Sequence, residues 1–251
     1  MQYISYSRLS LLETCGLRFY YEYVLQLPAE DQVLTYYASF GKLVHALYEE
    51  HANRGGRLQF VDLKALYDQR FPEIVGEFPE RATAILFYKN GVQALFRLSH
   101  YEVGDVVASE AEFMLPMGRD IPPVKGFIDR VIHTKEHGYM VADLKTGKAF
   151  LGRNRKKLRQ LALYSSACEQ QYGTPAGSGF FDFIVQGTRE WVDITEEDRV
   201  EAKNWVVVKW RQIEREEFAP RYSAGFCSAY CPFRTRCPEY ARKTQEQLLL
   251  S

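Results

Sequence analysis

The sequence predicts an α/β protein with a central mixed sheet flanked by helices. Helical patterns fill the N-terminal part of the chain, and short segments rich in β-branched and aromatic residues follow, separated by turn residues. Helical patterns then return on both sides of two further short segments of this kind. No internal repeat and no linker rich in Gly, Pro and Ser interrupts the chain. A single domain over residues 1–251 is therefore the simplest organisation.

The N-terminal helices are indicated by their caps and breaks. Ser7 is a candidate N-cap for a first helix, which Gly16 is expected to interrupt before an aromatic-rich continuation over 17–25. A second helix is predicted over 39–53 and a third between residues 79 and 101.

The remaining elements follow from a change in pattern near residue 105. Three short β-rich segments predict a strand meander: 106–115, 124–133 and 139–143. Later segments predict a helix, two strands and a closing helix: 156–171, 179–186, 190–194 and 195–217. Thr195, followed by Glu-Glu-Asp, gives the closing helix a capping box with acids in its first turn.

Composition indicates an ordinary globular protein. The chain has 251 residues, 46% of them hydrophobic and 25% charged, and no net charge. Its longest apolar stretches, such as 205–208, are too short to span a bilayer, and the N-terminus lacks the pattern of a signal peptide. We therefore expect a cytoplasmic location and no membrane partner. In that reducing compartment the five cysteines are expected to be metal ligands or buried thiols.

Four of the cysteines lie near the two ends of the chain. Cys15 stands alone, whereas Cys227, Cys231 and Cys237 are close together. This pattern predicts that an iron–sulfur cluster or a zinc ion ties the two ends of the domain together, and spacing alone does not choose between them. Cys168 lies in an apolar run and is expected to be a buried small side chain.

Two carboxylates predict a hydrolytic metal site. Asp129 and Asp143 lie near the ends of consecutive predicted strands, so both can converge on one Mg²⁺ or Mn²⁺ ion. Asp143 and Lys145 share a strand face because strand side chains alternate. Asp143 can hold the metal while the ammonium group of Lys145 orients or deprotonates the attacking water, or stabilises charge. Taken alone, the Asp-x-Lys pair at 143–145 could be a solvated ion pair. The Gly-x-x-Asp-Arg segment at 126–130 could be a salt-bridged turn.

A basic segment follows these residues directly. No acidic residue occurs from Leu144 to Cys168, where six basic residues follow Lys145: Lys148, Arg153, Arg155, Lys156, Lys157 and Arg159. Beside the carboxylates, this segment predicts a positive surface for a nucleic-acid backbone. The alternative is a solvated loop and helix face.

Six segments, in this order, resemble the RecB-like branch of the PD-(D/E)XK nucleases, which includes AddB-type and CRISPR-associated RecB-like exonucleases. They are Ser-Tyr-Ser-Arg-Leu at 5–9 before Cys15, Gly-Lys-Leu-Val-His at 41–45, Gly-Phe-Ile-Asp-Arg at 126–130, Asp-Leu-Lys-Thr-Gly at 143–147, Gln-Leu-Ala-Leu-Tyr at 160–164, and the terminal cysteines. The resemblance spans nearly the whole chain. It implies a restriction-endonuclease-like core over 106–194, with cluster-binding segments 1–25 and 225–240 packed together.

The resemblance also implies roles for individual residues. It makes Asp129 and Asp143 metal ligands and Lys145 the catalytic cation. His45 would be a further ligand, which favours manganese. The alternative is a histidine on a helix face.

Gln160 and Tyr164 lie on one helical face, which the resemblance implies flanks the catalytic site. Tyr164 could equally belong to the core. Glu110, or less favourably Glu112, could be a further acid.

For the terminal cysteines, the resemblance favours a [4Fe–4S] cluster over zinc. Three residues separate Cys227 from Cys231, where the family pattern has two.

The implied activity is metal-dependent hydrolysis of single-stranded DNA from an end, in recombination, repair or CRISPR adaptation. No Gly-x-x-x-x-Gly-Lys-Ser/Thr motif occurs, so unwinding would come from a partner such as a helicase, and a CRISPR adaptation protein is another candidate partner. The competing class is a non-catalytic iron–sulfur subunit that binds DNA or assembles a helicase–nuclease complex. The retained Asp129, Asp143 and Lys145 argue against it.

Overall fold

A computed structural model describes residues 1–100, 104–147, 149 and 155–249. Its α-helices are α1 Tyr6–Thr14, α2 Gly16–Phe19, α3 Tyr36–Asn53, α4 Phe60–Arg70, α5 Arg81–Leu98, α6 Arg155–Tyr172, α7 Glu196–Glu214, α8 Ala224–Tyr230 and α9 Pro238–Leu249. A π-helix at Tyr20–Val24 continues α2, and a 3₁₀ helix at Phe71–Glu77 follows α4. Its strands are β1 Asp105–Leu115, β2 Val124–Thr134, β3 Gly138–Lys145, β4 Ser178–Phe183 and β5 Thr188–Asp193. Within the described ranges, no helix is both long enough and apolar enough to cross a bilayer.

The chain divides into two compact units. The first combines Met1–Leu34, Pro116–Val124 and Asn204–Ser251, and the second combines Thr35–Leu115 and Lys125–Lys203. The single domain over residues 1–251 stays a prediction.

The second unit is built on a five-stranded sheet with the order β1-β2-β3-β4-β5. Strands β2 and β3 are antiparallel, β3 and β4 are parallel, and β4 and β5 are antiparallel. The parallel pair needs a long crossover, which α6 provides. The predicted mixed sheet flanked by helices is therefore confirmed, and its architecture is consistent with a restriction-endonuclease-like core.

The helical layer of the second unit is held by large buried side chains. Phe40, Val44 and Leu47 are no more than 1% exposed and recur at helical spacing along α3. They belong to one core cluster that also contains Tyr67 of α4 and Leu144 of β3. Truncating such a side chain to alanine costs about 3 to 5 kcal/mol for an aromatic residue, so this layer fixes α3 beside the sheet.

The N-terminal helices differ from prediction in two details. The N-cap is Ser5, whose side chain accepts a hydrogen bond from the Arg8 N–H at 3.3 Å, and not Ser7. Cys15 itself breaks the helix, with an extended backbone (φ −157°, ψ 108°). Gly16 instead begins α2, and a Cβ there would lie 2.9 Å from Phe218. This glycine therefore permits close packing and does not terminate the helix.

Other predicted boundaries shift by a few residues, and three helices were not predicted. Helices α4, α8 and α9 are absent from the sequence prediction, and α7 ends at Glu214 instead of residue 217. The predicted capping box at Thr195 is present: the Asp198 N–H donates to Thr195 Oγ1 at 3.2 Å, and the Thr195 N–H donates to Asp198 Oδ2 at 3.0 Å.

Candidate metal and catalytic site

Strand pairing in the second unit brings the two predicted aspartates together. Arg130 of β2 faces Ala142 of β3, so Asp129 and Asp143 are the next residues along each strand. Both point to the face opposite Arg130 and Ala142 because strand side chains alternate. The Leu144 N–H donates to Asp129 Oδ2 at 2.6 Å, which fixes that carboxylate beside β3.

Helix α3 and strand β1 add His45 and Glu110 to this position. His45 Nδ1 lies 3.8 Å from Glu110 Oε1 and 3.9 Å from Asp129 Oδ2. Gly41, one turn earlier, lets α3 approach the strand end, because a Cβ there would lie 3.2 Å from Thr146 Oγ1. This contact gives a physical reason for the Gly-x-x-x-His spacing.

Glu110 reaches the site through an unusual backbone conformation. Its φ of +47° lies in the left-handed region, which is uncommon for a residue other than glycine. Within a strand such a residue is typical of a bulge that re-aims a side chain, and strained residues often cluster at functional sites. Glu112 does not join the group, because it forms an ion pair with Lys125.

His45, Glu110 and Asp129 form a candidate cation site. Each offers one ligand atom, and these three atoms lie within 4.8 Å of one another. Two carboxylate oxygens and one imidazole nitrogen fit Mg²⁺ or Mn²⁺, with the imidazole favouring manganese. An open cleft of about 420 Å³, lined partly by His45, Glu110 and Lys42, lies beside them. The ligand set therefore fits a divalent cation.

The crowded carboxylates change the acid–base properties of the site. Burial, followed by the negative charge of Asp143, raises the pKa of Asp129 from 3.8 to about 7. Burial by itself would lower the pKa of His45, but Glu110, Asp129 and Asp143 outweigh burial and raise it. The metal-free site therefore takes up protons near neutral pH, and a cation must displace them.

Asp143 lies in a second group with Lys145, Gln160 and Tyr164. It is 2% exposed and forms an ion pair with Lys145 through Oδ2. Gln160 Nε2 donates to Asp143 Oδ1 at 2.6 Å, and Lys145 Nζ donates to Gln160 Oε1 at 3.3 Å. The amide of Gln160 therefore bridges the acid and the lysine.

Tyr164 completes this network from one turn further along α6. Its hydroxyl accepts a hydrogen bond from Gln160 Nε2 at 2.8 Å and donates to Asp143 Oδ1 at 3.3 Å. Burial, followed by the charge of Asp143, raises the pKa of Tyr164, so the phenol stays a hydrogen-bond donor. Metal coordination by Asp143 and direct catalytic roles for Gln160 and Tyr164 stay predictions.

The basic segment is described only in part. Lys148 and Arg153 lie outside the described residues, as does the side chain of Arg155. Arg159 Nη2 lies 3.8 Å from Glu201 Oε1. Lys156 is exposed and Lys157 is half-buried. Burial, followed by the charge of the nearby Lys145, lowers the pKa of Lys157. Binding of nucleic acid by these residues stays a prediction.

The first unit contains the four terminal cysteines. Cys15, Cys227, Cys231 and Cys237 line one cavity, and all four are free thiols. Backbone N–H groups of Ser223 and Tyr240 donate to the sulfur atoms of Cys227 and Cys237, each at 3.4 Å. Metal binding by these four cysteines stays a prediction.

The fifth cysteine lies elsewhere. Cys168 is buried in α6, and burial raises its pKa to about 12, as expected for an inert thiol.

A mixed sheet with a candidate histidine–carboxylate cation site beside an Asp-x-Lys pair is the arrangement expected of a metal-dependent hydrolase of the α/β class. The family model for the PD-(D/E)XK nuclease superfamily matches residues 3–238. The chain therefore belongs to the PD-(D/E)XK nuclease superfamily.

One solved structure supports this fold, and a second gives a weaker match. A protein from Eubacterium rectale, described as a candidate exonuclease, is 14% identical, with a TM-score of 0.56 over 86% of this chain and 81% of that chain. The structure of SSO0001 is 16% identical over 81% of this chain and 97% of that chain, but its TM-score of 0.40 is too low to show a shared fold. No curated protein sequence matches the chain significantly.

Proposed function

We propose that this protein is a divalent-metal-dependent deoxyribonuclease of the RecB-like branch, which degrades single-stranded DNA from an end. The observation that carries the proposal is the adjacency of two groups: the candidate cation site around Asp129 and the Lys145–Asp143 ion pair. This activity would serve recombination, repair or CRISPR adaptation in the cytoplasm. A helicase or an adaptation protein would be its partner.

The chemistry divides between the two groups. His45, Glu110 and Asp129 would hold the cation, which when bound activates water and neutralises charge on the scissile phosphate. Lys145 is held in place by Asp143 and Gln160, so its ammonium group can orient the water or stabilise the departing charge. Asp143, whose charge acts on Asp129, would complete the cation site.

Two observations support DNA as the substrate and cutting from an end. Lys156 and Lys157 follow the Asp-x-Lys pair on the first turn of α6, where a phosphate backbone would meet positive charge. The structural neighbour from Eubacterium rectale is described as a candidate exonuclease. A non-catalytic subunit is the competing candidate, and a cleavage assay separates the two.

The assay measures degradation of an end-labelled single strand with Mg²⁺ or Mn²⁺. We expect Lys145→Met to lower the rate about 10²- to 10⁴-fold, because a positioned charge that acts only in the transition state is lost. Lys135→Met, an exposed lysine in the β2–β3 turn, is the matched control and should cleave normally. A closed circular strand should resist cleavage by an enzyme that needs an end.

Three outcomes would contradict parts of this proposal. Absence of metal-dependent cleavage by the unmodified protein would favour the non-catalytic subunit. Lys145→Met cleaving at the parent rate would remove the catalytic role of the ion pair. Rapid cutting of the circle would exclude an obligate exonuclease.

For the four terminal cysteines, we propose a structural [4Fe–4S] cluster. The four cysteines line one cavity of the first unit, so they are the residues that would hold it. Each thiolate would bind a different iron of the cluster, whereas zinc would take all four sulfur atoms itself, and iron and sulfide content distinguishes the two.

A further inference from the structure

One face of helix α3 lines the open cleft beside the candidate cation site. The α3 residues in this lining are Gly41, Lys42, His45, Ala46 and Glu49, and Glu110 of β1 lies opposite them. The α3 positions recur at intervals of three or four residues, so they share one helical face. The cleft has a volume of about 420 Å³, and its lining residues all belong to the second unit. A substrate that reaches the cation through this cleft therefore contacts α3.

The middle of this face carries little side-chain bulk. Gly41 has no side chain, and Ala46 is exposed and ends in a methyl group. His45 lies between them and offers a ligand atom to the cation. The helix surface on both sides of this histidine is therefore low, which leaves room for the backbone of a nucleic-acid strand.

The two ends of the face carry opposite charges. Lys42 is exposed and precedes His45 by three residues, whereas Glu49 is half-buried and follows His45 by four. At the helical rise, their Cα atoms lie about 4.5 Å and about 6 Å from that of His45 along the axis, in opposite directions. A phosphodiester anion is attracted by the lysine and repelled by the glutamate. A strand whose scissile phosphate lies at the cation is therefore directed toward Lys42.

Lys42 also lies near the exposed carboxylate of Glu77. Hydrogen bonds from Thr35 and then Ser39 lower the pKa of Glu77, and the charge of Lys42 makes a smaller contribution in the same direction. Ser39 Oγ donates to Glu77 Oε2 at 2.8 Å, so this carboxylate has hydrogen-bond partners of its own. An ion pair between exposed groups is weak, and the long lysine side chain can exchange it for a phosphate.

We propose that Lys42 binds a phosphate adjoining the scissile one on a single DNA strand, and that Glu49 repels phosphates from the other end of the cleft. This inference rests on the proposed nuclease function and assigns the substrate strand to one side of the cation. Lys145 acts on the scissile phosphate, whereas Lys42 binds the strand equally before and during the reaction. Its removal should therefore change KM and leave kcat almost unaltered.

Steady-state degradation of an end-labelled single strand with Mn²⁺ provides the first test. We expect Lys42→Gln to raise KM about three- to tenfold with kcat within about twofold of the parent, because one exposed phosphate contact is lost. Lys42→Arg keeps the charge and should restore KM to within about twofold. Glu49→Gln should lower KM, because a repulsive charge is removed. Lys89→Gln makes the same change at an exposed lysine of α5, outside the described lining of the cleft, and should leave both constants unchanged.

A second test maps the phosphate without requiring cleavage. Single phosphates of the oligonucleotide are replaced in turn by neutral methylphosphonates, and binding is measured with Mn²⁺ in the slow Lys145→Met protein. One position should weaken binding about three- to tenfold when Lys42 is present and much less in the Lys42→Gln protein, because their contact is then already lost. Lys42→Gln should also reduce the slope of log affinity against log salt concentration by about 0.7, the value for one phosphate contact on a single strand.

The outcomes separate this inference from the proposed function. Cleavage with equal KM values for the parent and Lys42→Gln would overturn the inference alone, as would a methylphosphonate map that does not depend on Lys42. A fall in kcat at constant KM would also overturn it, because Lys42 would then act in the chemical step. Absence of metal-dependent cleavage by the parent would overturn the proposed function, and the methylphosphonate map would still decide whether Lys42 binds a strand.

Discussion

Asp129→Asn should stabilise the metal-free protein above neutral pH. In the folded state this carboxyl has a pKa of about 7, against an ordinary value of 3.8. The folded state therefore binds more protons than the unfolded state between these values, and stability falls as pH rises through this window. The loss of folding stability that comes from ionising the buried Asp129 is absent below about pH 3.8 and complete above about pH 7. Asparagine carries no charge, so Asp129→Asn avoids this loss of stability.

The structure sets the size of the effect. A shift of about three pKa units corresponds to about 4 kcal/mol of unfolding free energy. Asparagine can still accept the Leu144 N–H through its side-chain oxygen, so that hydrogen bond survives. It loses the attraction between the carboxylate and a protonated His45, which offsets part of the gain. We therefore expect a net stabilisation of about 2 kcal/mol at pH 8 and almost none at pH 4.

Urea unfolding in EDTA at several pH values measures this difference. The unfolding free energy of the parent should fall between pH 4 and 7 more steeply than that of Asp129→Asn. Excess Mn²⁺ at pH 8 should make the parent more stable than Asp129→Asn, because the parent gains binding energy that the variant lacks. Parallel pH profiles for the two proteins, or equal stabilisation by Mn²⁺, would refute the assignment of Asp129 as a buried, protonatable metal ligand.

Two further predictions concern Tyr164 and the cysteines. Tyr164→Phe removes a hydroxyl that contacts Gln160 and Asp143, so kcat at saturating metal should fall about five- to tenfold with metal affinity unchanged; an unchanged kcat would make Tyr164 a core residue only. Anaerobically purified protein should contain about four iron and four sulfide ions per chain. Cys15→Ser should lose iron and unfold at lower temperature than the control Cys168→Ala, because metal binding is coupled to folding; an iron-free parent that is fully stable would contradict the cluster.

Sequence predicted those features that depend on local periodicity. The strand face shared by Asp143 and Lys145 follows from alternation, and the pairing of Gln160 with Tyr164 follows from i, i+4 spacing on a helix. The structure joins these two pairs by hydrogen bonds, because the crossover helix α6 packs on β3. The mixed sheet was predicted for the same reason, since strand and helix patterns alternate clearly after residue 138.

Features that depend on tertiary contacts or rare backbone geometry were missed or left open. Glu110 joins the site through a φ of +47°, and no glycine or asparagine in the sequence marks that position. Ser5 and Ser7 are equally good caps by residue type, and the true N-cap depends on which serine meets the Arg8 N–H.

The different surroundings of the two aspartates suggest how metal binding and catalysis are coupled. Asp129 accepts one backbone hydrogen bond and faces His45 and Glu110, so it can exchange its proton for a cation. Asp143 has both oxygens engaged by Lys145, Gln160 and Tyr164. If Asp143 also coordinates the cation, it must share an oxygen that now contacts these partners. Metal binding would then change the contact between Asp143 and Lys145, so the exact position of the ammonium group would depend on the cation.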